Sequence, residues 1–150
     1  MSFNTISNKL KTVLDGITDL ESVYEYPWLK FDGYPSATIT PSGYDSDYET
    51  NTENQRLYVY TVRLFVGLNS VNKVNYKDKV DTGHRIMREL TDTVIDVFDK
   101  DELLSGIDLP VGYTMIGVKP VPSSIVYFPD EKMIVSEVKV EVKISFDTNS

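Results

Sequence analysis

The chain has 150 residues, with 23 acidic and 15 basic side chains, a formal charge of −8, one His and no Cys. That length suits one domain able to bury about 68 to 70% of the surface its unfolded chain exposes, and the lack of Cys excludes thiolate nucleophiles, cysteine-based zinc sites and disulfide staples. The acidic balance argues against a nucleic-acid-binding surface, which needs clustered Lys and Arg.

Between Met1 and Leu20 the apolar residues are interrupted by Lys9, Lys11, Asp15 and Asp19, so no signal-peptide core forms. No later run reaches the roughly 20 apolar residues of a membrane span, and a soluble protein made in the cytoplasm is expected. Ile6, Leu10, Val13, Leu14 and Ile17 recur at intervals of three and four, which predicts an amphipathic helix from Asn4 to Ile17 capped by Ser2 or Asn4. Ser22 to Tyr26 changes to β-branched and aromatic residues and predicts a short strand stopped by Pro27. Trp28, Leu29 and Phe31 read as a plug for the core edge, and Asp32-Gly33 marks a turn. Tyr34 to Thr40, between Pro35 and Pro41, predicts a second strand with Ala37 and Ile39 on one side and Ser36, Thr38 and Thr40 on the other.

Ser42 to Asn54 carries Asp45, Asp47, Glu49 and Glu53 with no base, and sets Tyr44 and Tyr48 among small polar residues. The expectation is a long acidic loop, mobile in the free protein and ordered on assembly, because hairpin connections usually need only two to five residues. Glu53 to Gly67 is the longest β-prone run and predicts the central strand. Tyr58, Tyr60, Val62, Leu64 and Val66 form one apolar row. Leu57, Val59, Thr61, Arg63 and Phe65 form a second row that is only partly polar, so both faces want cover and the second suggests a partner subunit.

Tyr76 to Phe98 predicts a long helix: Val80, Gly83, His84, Met87, Leu90, Thr91, Val94, Ile95 and Phe98 share one side, and Asp81, Arg85, Glu89, Asp92 and Asp96 the other. Asp99 to Asp108 leaves room for one more helical turn. Tyr113 to Lys119 predicts a strand broken at Pro120 and Pro122. Ile125 to Phe128 and Met133 to Phe146 flank Pro129-Asp130-Glu131, where Pro in the second position of a turn favours a hairpin. The last strand alternates cleanly, with Ile134, Val138, Val140, Val142, Ile144 and Phe146 opposite Glu137, Lys139, Glu141 and Lys143. Together these elements predict one α+β domain over 1–150, with a mainly antiparallel sheet and the long and N-terminal helices packed on one face.

No chemistry announces itself. The single His84 lies on the apolar stripe of the long helix, and no nucleophile elbow, phosphate loop, dinucleotide turn or zincin motif is present. Asp45-Ser-Asp47-Tyr-Glu49 opens like a calcium loop, but Thr50 stands where Gly is needed and Arg56 where a bidentate Glu is needed. These absences exclude the enzymes those motifs mark and call for no cofactor or metal, while 23 acids still allow many carboxylate pairs able to do acid and base work, with solvated surface charge the favoured reading. Asp92, Asp96, Asp99, Asp101 and Glu102 crowd the end of the long helix, where the dipole prefers cations by ~0.3–1 kcal/mol per charge. Such acidity suits solubility, a basic partner, or a surface that repels a polyanion.

The Pro-bounded strand Tyr34-Pro-Ser-Ala-Thr-Ile-Thr-Pro, a polar segment, and the Glu-Asn-x-Arg strand rich in Tyr and Val follow one another here. In this, and in its order of elements, the chain resembles the tail terminator (tail completion) proteins of long-tailed bacteriophages. The resemblance implies a non-enzymatic virion protein at the head-proximal end of the tail. It implies a homo-hexameric ring that caps the tail tube, stops its polymerisation and offers a surface to the head connector or head-completion protein. DNA would pass through the ring channel without sequence-specific binding, and no membrane is involved. On that view Tyr44, Asp45, Asp47, Tyr48, Glu49, Glu53, Leu57, Val59 and Phe65 are subunit or partner contacts, and the acids at the helix end form an acidic surface. The rival readings are another neck or tail ring component (a connector or tube subunit), a small-ligand or divalent-cation module using the acidic segment, and a carboxylate hydrolase.

Overall fold

The computed structural model describes residues 3–27, 31, 33–48 and 53–147. In chain order the elements are α1 (Phe3–Asp15), β1 (Ser22–Tyr24), β2 (Ser36–Tyr48), β3 (Glu53–Gly67), a single 3-10 turn (Leu68–Ser70), α2 (Tyr76–Lys100), β4 (Tyr113–Phe128) and β5 (Met133–Asp147). The strands lie in the order β1-β2-β3-β5-β4. Among the described strands only β1 and β2 run parallel; the other neighbours are antiparallel. The α+β class and the mainly antiparallel sheet are those the sequence predicts.

β3 is the hub because its two rows of side chains have different jobs. Its residues pair in unbroken register with β5, from Glu53 opposite Asp147 to Gly67 opposite Met133. Tyr58, Tyr60, Val62, Leu64 and Val66 are buried, joined on the same face by Ala37 and Ile39 of β2 and by Ile134, Val138, Val140, Val142 and Ile144 of β5. Each of the Val, Leu and Ile side chains among them contributes ~1.5–3 kcal/mol when removed from water. The predicted register of β5 holds: Val140 and Val142 are inside, while Lys143 is exposed.

Both helices cover this core face. α1 contributes Ile6, Leu10 and Leu14, and the Tyr60 hydroxyl donates to the Phe3 carbonyl at 2.8 Å. α2 starts at Asn75, whose Oδ1 accepts from the Lys77 amide at 2.8 Å, a standard N-cap. It buries Met87, Leu90, Val94 and Phe98. Gly83 lets the helix approach the sheet closely, because a Cβ there would lie 2.8 Å from Ile134 Cδ1 and 3.1 Å from Leu68 Cδ2. Near the helix middle, Thr91 Oγ1 and Ser136 Oγ lie 2.8 Å apart, both buried. No described helix is long and apolar enough to cross a membrane.

Four expectations about breaks and connections are corrected. Ser42 to Asn54 is not a long loop: β2 continues to Tyr48 and pairs with β3 out to Tyr48 opposite Asn54. The chain passes Pro41 because a bulge there takes up Ser42, and because β1 pairs only with residues 36–38, leaving β2 an edge strand in which a missing N–H is tolerated. β4 likewise runs unbroken through Pro120 and Pro122, as the outermost strand, with bulges between Met115 and Gly117 and between Pro122 and Ser124. Residues 101–108 form turns rather than helix. Leu104 takes a positive φ of 47° with its side chain fully buried, and Gly106 follows at 84°. In the last hairpin the Lys132 amide donates to Pro129 O, so Pro129 holds the first turn position and not the second. Trp28 and Leu29 lie outside the described residues, while Phe31 plugs the sheet edge as expected, its ring tilted against Phe65 at 4.7 Å and edge-on to Tyr34 at 5.6 Å between centroids.

Candidate assembly interface

No described helix lies over the sheet face opposite the core, and register fixes which residues point to it, since directly paired residues share a face. From one end to the other, its cross-strand rows are Leu57–Lys143–Gly117, Val59–Glu141–Lys119, Thr61–Lys139–Val121, Arg63–Glu137–Ser124 and Phe65–Val135–Val126. Phe128 and Met133 close the far end. Leu57, Val59, Val121 and Val135 are half-buried, Val126 and Phe128 exposed. Across this open face Arg63 Nη2 meets Glu137 Oε1 at 3.3 Å, with both side chains partly exposed, a pair of the kind worth ~0–1 kcal/mol. A shallow concavity of about 460 Å³ lies at the far end among Pro27, Phe65, Phe128, Met133 and Val135.

The candidate residues do not all gather there. Leu57 and Val59 sit on the open face, half-buried, with Asp45 opposite Leu57 on the same face. Phe65 also points that way but is only 7% exposed, because Phe31 of its own chain covers it. Tyr44 points to the other face. There it makes edge contacts with Tyr58 at 5.2 Å and Phe3 at 6.3 Å while remaining 52% exposed. Asp47 and Tyr48 belong to the outer end of β2 and Glu53 to the start of β3; Glu49 lies outside the described residues.

The acidic end of α2 divides in the same way. Asp92, Asp96, Asp99 and Glu102 are exposed. Asp101 instead has local work, its Oδ1 accepting from the Ser105 amide at 2.9 Å and the Ser105 hydroxyl at 2.8 Å. Those bonds hold its pKa below the usual carboxylate value. One acid of the five thus serves the chain's own turn.

Two polar groups near the β2–β3 end are tuned by packing. Burial pushes the Tyr60 phenol up to about 12. Burial disfavours the charge of Arg56, but the hydrogen bond to Tyr58, the electrostatic influence of Tyr113 and Tyr44 and the hydrogen bond to Tyr113 together outweigh it, and the pKa lies above the ordinary value. The Arg56 guanidinium rests 4.2 Å from the Phe146 ring centroid and Nη1 donates to Tyr113 Oη at 3.2 Å, so it clamps β3 to the ends of β4 and β5. Among the described residues no group of three or more His, Cys, Asp or Glu is placed to hold a metal ion.

No family model matches the chain, and no curated protein matches it. Solved structures do. A chain of the structure described as "Virion of native gene transfer agent (GTA) particle" superposes with a TM-score of 0.55 at 10% identity, covering 96% of this chain and 99% of that one. At that identity the likeness shows a shared fold, and the coverage means that it runs through nearly the whole of both chains.

Proposed function

We propose that the protein is a non-enzymatic structural component of a phage-like virion, and that it forms the ring which caps the head-proximal end of the tail tube. The observation that carries the first part is the near end-to-end fold match to a chain of a virion particle. The second part rests on the resemblance of the β2–β3 pair to tail terminators and on a sheet face over which no described helix lies. In this reading six copies close head to tail, Leu57 and Val59 lie between subunits, and the β2–β3 hairpin end with Tyr44, Asp45, Asp47, Tyr48, Glu49 and Glu53 reaches a neighbour, the tube or the connector. The net acidity of the chain keeps DNA moving past without adhesion. A connector or tube subunit with this fold is the alternative that the same match supports.

Inactivating the gene and imaging the particles in the lysate separates these readings. A terminator predicts heads without tails beside overlong tubes. Tube loss would point to a tube subunit, and infectious particles with tails of normal length would overturn the proposal.

A further inference from the structure

The open face holds a cluster of cations that the ring reading alone does not explain. Lys119 sits opposite Glu141, and Lys139 and Lys143 flank Glu141 on the same face of β5. All three lysines are exposed. No described carboxylate lies within ion-pair distance of them; the pairs found are Lys11–Asp15, Arg63–Glu137 and Arg85–Asp81. Three lysines around one glutamate make a locally positive patch on a chain whose total charge is −8.

Beside it lies a concavity of about 240 Å³, lined by Leu57, Ile116 and Gly117 together with Lys119, Lys143 and Glu141. Its opening follows from the β4 bulge between Met115 and Gly117. A Cβ built at Gly117 meets no atom within 4 Å, so this part of the face is empty space and not close-packed. Apolar lining with an ammonium rim suits a protruding acidic segment.

We propose that this patch receives the acidic end of α2 from a second copy of the chain, with Asp96, Asp99 and Glu102 facing Lys119, Lys139 and Lys143. The proposal rests on the ring reading and names the contact within it. Within one molecule the two patches cannot meet, because α2 covers the core face of the sheet and the lysines project from the other. A two-fold contact between open faces would set lysine against lysine. A head-to-tail contact sets lysine against carboxylate, and such heterologous contacts generate rings. The helix C-terminus adds its own partial negative charge to those carboxylates. A polyanion such as DNA is the less favoured occupant, because the field of the whole acidic chain repels it.

The test uses the full-length protein at low ionic strength. Sedimentation velocity over a concentration range measures self-association. Zero-length carbodiimide coupling of a mixture of unlabelled and 15N-labelled protein then identifies links between copies. Wild type should associate, with intermolecular links from Lys119, Lys139 or Lys143 to Asp96, Asp99 or Glu102. The triple variant Lys119→Glu, Lys139→Glu, Lys143→Glu should lose at least tenfold in association with itself, and mixing it with Asp96→Lys, Asp99→Lys should restore heterotypic complexes. Gly117→Trp, which fills space that is open in the monomer, should keep the melting temperature and weaken association tenfold. A monomer at every concentration, links that fall elsewhere, no rescue by the swapped pair, or capture of duplex DNA by the patch instead of a second copy would each overturn the contact. If the gene-inactivation phenotype still holds, the ring reading survives and only this contact is lost.

Discussion

The Thr91–Ser136 hydrogen bond makes the docking of α2 on β5 measurable. Thr91 Oγ1 lies 2.7 Å from the Met87 carbonyl and 2.8 Å from Ser136 Oγ. Thr91 has one hydroxyl proton, and the Met87 carbonyl can only accept it, so Ser136 must donate to Thr91. Thr91 is 7% and Ser136 0% exposed. Thr91→Val therefore strands the Ser136 proton in a dry interface, a cost of ~1–3 kcal/mol, whereas Ser136→Ala leaves Thr91 still donating to Met87 and costs ~0.5–1.5 kcal/mol. The double variant should be close to Ser136→Ala alone, since no orphaned group remains, with a coupling of ~1 kcal/mol or more. Urea unfolding of the four proteins reads this directly, and each kcal/mol should appear as a melting shift of ~2–4 °C. If Ser136→Ala is the more damaging change, or if the two single costs simply add, the assigned donor direction and the helix register on the sheet are wrong.

Alkaline titration tests the core end at Tyr60. Its folded pKa of about 12 lies above the unfolded value of 10, so its contribution is full below pH 10 and is lost as pH rises through 12, by ~2–3 kcal/mol in all. Tyr60→Phe, less stable by ~1 kcal/mol at neutral pH through loss of the bond to the Phe3 carbonyl, should become the more stable protein near pH 12; parallel curves for the two would refute this. Leu57→Glu with Val59→Glu should leave the far-ultraviolet circular dichroism and melting temperature nearly unchanged but abolish incorporation into particles, measured by mass spectrometry of purified virions. Exchanging residues 49–52 for Gly and Ser should shift melting by less than ~4 °C, about 1 kcal/mol, and yet reduce head joining in a complementation assay, whereas full joining would remove those residues from the interface.

The long periodic elements were legible because burial repeats at a fixed spacing: β3 has the predicted limits, and the apolar rows of α2 and β5 are the ones that pack. The outer half of β2 was not legible. Its strand residues are acidic and small, the composition of an edge that avoids further pairing, and this looks like loop when the partner strand is out of view. The prolines of β4 misled for a related reason. Whether Pro breaks a strand depends on its place in the sheet, and only the strand order shows that β4 is outermost. Ser136 was hidden inside an apolar row, its burial made tolerable by a helix residue 45 positions away in sequence. Of the candidate site, Leu57 and Val59 were readable from alternation. The cover of Phe65 by Phe31, the use of Tyr44 by the chain's own aromatic cluster, and the meeting of Lys119 with Lys139 and Lys143 depend on long-range pairings that no local pattern encodes.

The claim that this fold serves as the cap of a tail tube is tested most directly by adding purified protein to isolated, growing tail tubes and imaging them by cryo-electron microscopy. The account predicts a six-fold ring at one end of each tube and tubes that stop lengthening once it is bound. Tubes that keep growing with both ends bare, or protein bound along their sides, would contradict it.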